Sequence, residues 1–230
     1  NVDSGPGSLP EPAWASVIHK AHAAGSKVLG YVDTGYLGRP IPGHPDGLPT
    51  RSGGTGLGAW TTQIEADVNA WYRFYGADVG GVFFDQGTDV CGPTPSSDLY
   101  ADEYESLTRY VKEAHSGALT ALSPGTAVPQ CYRNSADVLV TFEGSYGDYS
   151  GNPATPSDAY RPLDWAPADP DRIWNIVYGA ATQEEMDSAV ALSKSRNVGY
   201  IYVTNGAQAN PYGSIPSLYW TGEQEQTFPR

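Results

Sequence analysis

Two acidic residues, Asp85 and Glu143, each end an uninterrupted apolar run of the sequence. Asp85 follows GVFF and Glu143 follows LVTF, and a glycine lies within two residues of each, which permits close approach by a ligand. Glycoside hydrolysis requires such a pair, one carboxyl to protonate the leaving oxygen and one to stabilise or attack the anomeric carbon. A single carboxylate in such a place is as often a helix cap or an ion-pair partner. The pair therefore carries the prediction of catalysis.

Polar and aromatic residues elsewhere in the sequence could contact a sugar. Sugars stack their C–H faces on aromatic rings, although the rings of a chain with 16 tyrosines also simply fill the periphery of the fold. The rings that we consider are Tyr31, Tyr36, Tyr132, Tyr146, Tyr149 and Trp220. Some of these rings and some of the polar residues at strand ends form the predicted substrate-binding set. Its members are Gln86, Asp33, Tyr31, Tyr36, Tyr132, Tyr146 and Asn205.

Six short apolar runs in the sequence predict the strands that would position these residues. They read as strands buried on both faces, as in parallel sheets, at 27–34, 79–87, 118–125, 137–144, 172–179 and 198–206. Apolar stripes of helical period lie between several of them, and the nucleotide-binding patterns GxGxxG and GxxxxGK[ST] are absent. We predict an α/β fold, a (β/α)8 TIM-like barrel formed by residues 1–230 as a single domain.

The number of strands leaves two architectures open. Six strands do not close an eight-stranded barrel, so either the first two strands precede Asn1 or the six form an open sheet. Only about eleven residues separate the third and fourth runs, too few for a normal helix, and residues 145–171 are proline-rich and irregular. In a parallel barrel the active site lies at the carboxyl ends of the strands, where Asp85 and Glu143 stand.

Composition excludes several classes of partner. Thirteen Lys plus Arg against 26 Asp plus Glu give a net charge of -13, which disfavours nucleic acid and favours neutral or cationic ligands. No apolar run approaches the roughly 20 residues that span a bilayer, so we expect no membrane insertion. Few lysines, 19 prolines and 27 glycines suit a secreted protein, and we expect a monomer.

The spacing of the cysteines and histidines indicates whether the chain could hold a metal ion or form a disulfide. Cys91 and Cys131 lie in no metal-ligand spacing and predict one structural disulfide. The four histidines show neither HxH nor HExxH spacing, so we predict no metal and no cofactor. GxSxG is also absent, which disfavours a serine hydrolase.

Taken in order, the motifs resemble those of the spherulin-4-like family, secreted (β/α)8 enzymes of glycoside hydrolase family 135. The resemblance covers the chain from Asn1 to about Trp220, in the segments NVDSGPG, VLGYVDTGY, GVFFDQ, ALSPGT, VTFEGSY, YIYVTN, NPY and SLYW. It implies an endo-acting α-1,4-N-acetylgalactosaminidase that cleaves galactosamine-rich polysaccharide such as galactosaminogalactan. It also implies that the first two barrel strands lie upstream of Asn1.

One residue departs from the family pattern. The strand of GVFFDQ usually ends in Asp-Glu in the family, and Asp85 and Glu143 match two of its acidic residues, whereas Gln86 replaces a glutamate. An amide preserves the shape of the carboxyl and removes its charge and its proton-transfer capacity. We predict Glu143 as general acid/base, Asp85 as nucleophile or charge stabiliser and Gln86 as a sugar contact. The alternatives are a non-catalytic carbohydrate-binding barrel and a structural coat or spore-associated protein.

Overall fold

A computed structural model of the chain describes residues 4–165, 167 and 169–227, with the backbone alone for 225–227. The chain divides into two compact units. The first comprises the residues up to Ser123 together with Gln130–Asp137, and the second comprises Pro124–Pro129 and the residues from Val138 onward. The single domain over residues 1–230 and the monomeric state stay predictions.

The first unit alternates helices and strands. In chain order its described elements are α1 (Pro12–Ala23), β1 (Val28–Asp33), a 3-10 helix (Gly35–Gly38), α2 (Leu57–Tyr75), a 3-10 turn (Gly76–Asp78), β2 (Val79–Asp85), α3 (Leu99–Ala114), β3 (Leu119–Leu122) and a 3-10 helix (Gln130–Asn134). β2 pairs in parallel with both β1 and β3. In the register of β1 and β2, Asp33 lies opposite Asp85, so the last residues of the two strands are neighbours.

Close packing of α2 on β1 holds this sheet in place. Trp71 of α2 is buried, and its indole Nε1 donates a hydrogen bond of 2.8 Å to the Tyr31 carbonyl of β1. A Cβ at Gly30 would lie 2.6 Å from the Trp71 ring, so only glycine lets the indole approach β1. The apolar stripe of α2 thereby becomes a fixed contact on the strand that carries Asp33.

A disulfide joins Cys91, in the loop after β2, to Cys131 in the 3-10 helix Gln130–Asn134. The bond closes a loop with a sequence separation of 40 residues. Cross-links of this span stabilise a fold by about 3–4 kcal/mol in the chain-entropy model. The bridge ties the irregular loop after β2 to the rest of its unit.

The second unit contains the remaining described strands. Its elements are β4 (Val138–Ser145), α4 (Tyr146–Ser150), a 3-10 turn (Pro170–Arg172), β5 (Ile173–Tyr178), α5 (Gln183–Ser195), β6 (Tyr200–Val203) and α6 (Trp220–Thr227). β5 pairs in parallel with β4 and β6. Its core is built from one face of these strands and the inner face of α5, with Phe142, Tyr149, Val177, Met186, Val190, Val203 and Tyr219.

The α/β class predicted from the sequence is confirmed, and each of the six predicted strands is present among the described residues. The proline-rich stretch 145–171 was expected to be irregular but opens with α4. Ser145 and Asp148 form a capping box there: the Ser145 hydroxyl accepts from the Asp148 N–H at 3.1 Å, and the Asp148 carboxylate accepts from the Ser145 N–H at 3.2 Å. Within the described part of the chain, no helix is long and apolar enough to cross a bilayer.

A buried glutamate attaches α6 to β6. Glu223 is 4% exposed, and its Oε1 accepts a hydrogen bond of 2.7 Å from the Val203 N–H. Burial raises the pKa of Glu223 to about 7, against the opposing effect of the Val203 hydrogen bond. The folded state therefore binds a proton at Glu223 more tightly than the unfolded chain does. This contribution to stability is complete below the unfolded pKa and is lost as pH rises through about 7.

We expect Glu223→Gln to flatten this pH dependence, because an amide oxygen can accept the Val203 N–H without ionising. Between pH 5 and pH 8 the free energy of unfolding of the parent should fall by about 1–3 kcal/mol relative to the variant. Urea titrations at several pH values measure this difference, with Glu113→Gln on α3 as an exposed control. Parallel curves for the parent and Glu223→Gln would contradict the assignment.

Candidate acidic site at the strand ends

The carboxyl ends of β1 and β2 bring four of the predicted site residues together. Asp33 and Asp85 are register neighbours, and the Tyr31 hydroxyl donates a hydrogen bond of 2.8 Å to Asp85 Oδ2. Tyr36, in the 3-10 helix that follows β1, lies near enough to both carboxylates for their charges to affect its hydroxyl. We name Tyr31, Asp33, Tyr36 and Asp85 the acidic cluster.

The two carboxylates of the acidic cluster differ in their surroundings. Burial raises the pKa of Asp33, the Gly35 N–H that donates to its Oδ1 at 2.8 Å opposes this, and the negative charge of Asp85 raises it further. Asp85 instead accepts a hydrogen bond of 2.8 Å from the Tyr31 hydroxyl through its Oδ2. Burial, followed by the charge of Asp85, also raises the pKa of Tyr36. The acidic cluster thus contains one carboxyl, that of Asp33, whose pKa is raised by burial, beside a second carboxyl, that of Asp85, which accepts a hydrogen bond. Perturbed pKa values of this kind are common at functional sites.

Gln86 departs from ordinary strand geometry directly after Asp85. Its φ is 53°, in the left-handed region that costs a non-glycine residue energy and is often found at functional sites. Its carbonyl accepts the Tyr36 N–H at 2.9 Å. Its side-chain Oε1 is buried and has no hydrogen-bond partner among the described residues. A buried acceptor left unpaired is costly, so this amide oxygen is a candidate for contact with a ligand donor.

Thr34 fixes the backbone of both site residues. It is fully buried, and its hydroxyl reaches the carbonyls of Asp85 and Gln86 at 2.8 and 3.0 Å. The same oxygen lies 3.0 Å from the buried Tyr104 hydroxyl, which accepts the Thr88 N–H at 3.2 Å. This Thr34–Tyr104 network couples the turn after β1 to the turn after β2.

An ion pair adds a second link between the same two turns. Arg39 Nη1 donates to Thr88 Oγ1 and to Asp89 Oδ1, each at 2.7 Å. The guanidinium lies on the turn after β1 and its acceptors on the turn after β2. The Arg39 side chain therefore links the turns that follow the two strands of the acidic cluster.

In the second unit, Glu143 near the carboxyl end of β4 is exposed. Its N–H donates to the Gly125 carbonyl at 2.9 Å, and its Oε1 accepts a hydrogen bond of 2.5 Å from the Tyr212 hydroxyl. Glu143 is thus accessible and oriented by a residue 69 positions away. Asp85 and Glu143 belong to different units, so their pairing stays a prediction.

Tyr132, a predicted substrate contact, and Tyr149, one of the other rings considered, are both fully buried in this structure. Tyr132 donates its hydroxyl to the Val90 carbonyl at 2.9 Å and packs on Tyr104. Tyr149 donates to Asn175 Oδ1 at 3.0 Å inside the core of the second unit. Both are amphipathic rings whose hydroxyls are satisfied internally, a role that the sequence pattern does not distinguish from a loop contact.

The predicted contacts of the second unit are partly or fully exposed. Tyr146 begins α4 and is half-buried against the core of the second unit, and Asn205 follows β6 and is exposed. Trp220, one of the other rings considered, is 37% exposed at the start of α6. Their contact with a sugar stays a prediction. Three residues that contact the predicted site residues or the turns beside them were not predicted from the sequence, namely Thr34, Arg39 and Tyr212. Only Tyr212 carries a sequence signal, because it ends the NPY segment.

The described residues contain one grouping with the spacing of metal ligands, formed by Cys91, Asp98 and Cys131. Both cysteine sulfurs are joined in the disulfide and do not offer thiolates. This grouping is therefore explained by the disulfide.

Parallel strands joined by helices, with carboxylates at their carboxyl ends, define an α/β protein. A family model, the Spherulation-specific family 4, matches residues 1–226, and the chain belongs to that family. The family predicted from the sequence motifs is therefore confirmed. A search of curated protein sequences finds no significant match.

The chain can be compared with two solved structures. Sph3 of Aspergillus clavatus, determined in complex with GalNAc, is 18% identical with a TM-score of 0.69, over 97% of this chain and 82% of Sph3. The chitinase RmChi1 of Rhizomucor miehei is 12% identical with a TM-score of 0.48, over 89% of this chain and 85% of the chitinase. The likeness to Sph3 shows a shared fold.

We expect Thr34→Val to destabilise the fold by about 1–3 kcal/mol, because it leaves the buried Tyr104 hydroxyl and the strand-end carbonyls without their shared partner. Thr62→Val is a matched control, since the Thr62 hydroxyl is exposed and donates to the Gly58 carbonyl one turn back in α2. Denaturant titration of the three proteins measures the difference. Equal losses in the two variants would contradict the coupling role of Thr34.

Proposed function

We propose that this protein is a secreted glycoside hydrolase that cleaves α-1,4-linked polymers of N-acetylgalactosamine and galactosamine. The observation that carries the proposal is membership of the Spherulation-specific family 4 across residues 1–226. The GalNAc complex of Sph3, which shares the fold, supports a sugar of this type. The disulfide between Cys91 and Cys131 supports an oxidising, extracellular setting.

Asp85 is proposed as the nucleophile or charge stabiliser. Developing positive charge at the anomeric carbon is stabilised by a carboxylate close to it. The hydrogen bond from the Tyr31 hydroxyl to Oδ2 restricts the rotation of the Asp85 carboxylate and so fixes its direction. Asp33, the shielded neighbour, is proposed to bind a sugar hydroxyl or amine together with Tyr36.

Glu143 is proposed as the general acid/base. It protonates the glycosidic oxygen while the bond from that oxygen to the anomeric carbon breaks, and it then takes a proton from the water that attacks the anomeric carbon. Exposure suits this role, because the group must meet both the leaving sugar and water. Each cycle consumes one water and returns the proton to Glu143.

A carbohydrate-binding protein without catalysis is the second candidate, and Gln86 favours it. An amide at this position hydrogen-bonds a sugar but transfers no proton. Its buried, unpaired Oε1 would be satisfied by a sugar hydroxyl or an N–H of the acetamido group. Asn205, Tyr146 and Trp220 would serve binding equally well in either candidate.

We expect the parent chain to release new reducing ends from an α-1,4-N-acetylgalactosamine polymer, and Glu143→Gln to lower the rate by about 100-fold or more because proton transfer is lost. Gln86→Glu should keep activity at least at the parental level. A colorimetric reducing-end assay compares these proteins, with Glu113→Gln as an exposed control.

The panel also separates the two candidates. Turnover that appears only with Gln86→Glu means that the parent is a binder built on a hydrolase. Absence of turnover in every protein, with retention of the polymer on an affinity gel, would establish the carbohydrate-binding candidate. Failure to bind or cleave would favour a structural role.

A further inference from the structure

The loop between β6 and α6, residues 204–219, reaches back to β4 inside the second unit. Its residue Tyr212 is 42% exposed, yet its hydroxyl donates to Glu143 Oε1 at 2.5 Å. An O–H···O hydrogen bond of this length to a carboxyl oxygen is at the short end of the range for such bonds. The contact joins the exposed carboxyl of Glu143 to a ring 69 residues further along the chain.

The first half of this loop is fastened to the end of β6. The Thr204 hydroxyl donates to the Pro211 carbonyl at 3.4 Å, and the Gly206 N–H donates to Thr204 Oγ1 at 3.1 Å. A Cβ at Gly206 would lie 2.0 Å from the Pro211 carbonyl oxygen, so glycine is required for the chain to fold back this closely. The residue before Tyr212 is therefore held against the strand.

The Tyr212 ring and its backbone are fixed as well. The ring lies 6.2 Å from that of Tyr202 on β6, at an interplanar angle of 52°. The Tyr212 N–H donates to Asn210 Oδ1 at 3.3 Å. Since ring, backbone and hydroxyl each have a partner, the direction of the hydroxyl is determined by the loop and by β6.

We propose that Tyr212 is a positioning residue that orients the Glu143 carboxylate, and that the fold-back at Gly206 exists to place it. The inference rests on the proposed role of Glu143. The hydrogen bond from the Tyr212 hydroxyl restricts the rotamers of the Glu143 side chain, and proton transfer to the glycosidic oxygen requires one particular direction of that carboxyl.

The kinetic test compares Tyr212→Phe with Tyr200→Phe. Both changes remove one hydroxyl and keep the ring, and Tyr200 stands at the opposite, amino end of β6. In the parent, or in Gln86→Glu if only that protein turns over, Tyr212→Phe should lower kcat about 10- to 100-fold with KM changed less than about threefold. Tyr200→Phe should leave both constants unchanged. An unchanged kcat, or a loss confined to KM, overturns the positioning role.

A spectroscopic test needs no turnover and so separates this inference from the proposed function. The tyrosines are replaced by 3-fluorotyrosine, and the 19F resonances of Tyr212 and Tyr200 are assigned from the two phenylalanine variants. Glu143→Gln should shift the Tyr212 resonance and leave that of Tyr200 in place, because only the Tyr212 hydroxyl has lost its carboxyl acceptor. A Tyr212 resonance that does not move overturns the inference, whether or not the protein cleaves a glycan.

Discussion

The parallel register of β1 and β2 is the constraint on which the acidic cluster depends. It sets Asp33 opposite Asp85 and brings the Tyr31 hydroxyl within 2.8 Å of Asp85. Because side chains alternate faces along a strand, a slip of one residue would turn Asp85 away from Tyr31. Trp71 against Gly30 and the Thr34–Tyr104 network both act on this register, one beneath β1 and one beyond its end. The packing of α2 and the buried hydrogen bonds of Thr34 thus both stabilise the same register between β1 and β2.

The strands could be predicted because their signal is local. Runs such as GVFF and LVTF are apolar on both faces, and the polar residue that follows each run marks a strand end without any tertiary information. Asp85 and Glu143 were found on this basis. The class of fold follows from the same alternation of strands and helices.

The remaining features depend on tertiary packing that a local pattern does not contain. Tyr132 and Tyr149 resemble loop tyrosines in sequence, but their hydroxyls are satisfied by Val90 and Asn175 in the interior. Thr34 looks like an ordinary turn residue until Tyr104 is seen beside it. Tyr212 meets Glu143 across 69 residues, a contact produced by the fold-back of its loop.

Gln86 is the residue that leaves both hydrolysis and carbohydrate binding as candidate functions. Its left-handed backbone and its unpaired buried oxygen are features of a position shaped for a ligand, while its amide removes a proton-transfer group. In our proposal the carboxylates of Asp85 and Glu143 suffice for cleavage, and Gln86 contributes hydrogen bonding to the sugar. The central claim of the proposal is that the carboxyl groups of Asp85 and Glu143 are both required for cleavage and that a carboxyl group at position 86 is not.

Mass spectrometry of the products formed from an α-1,4-N-acetylgalactosamine polymer tests that claim most directly, with the parent and Asp85→Asn incubated side by side. Our account predicts short oligosaccharides, each heavier by one water than the sum of its residues, from the parent, and intact polymer from Asp85→Asn. Intact polymer from both proteins, or the same oligosaccharides from both, would contradict it.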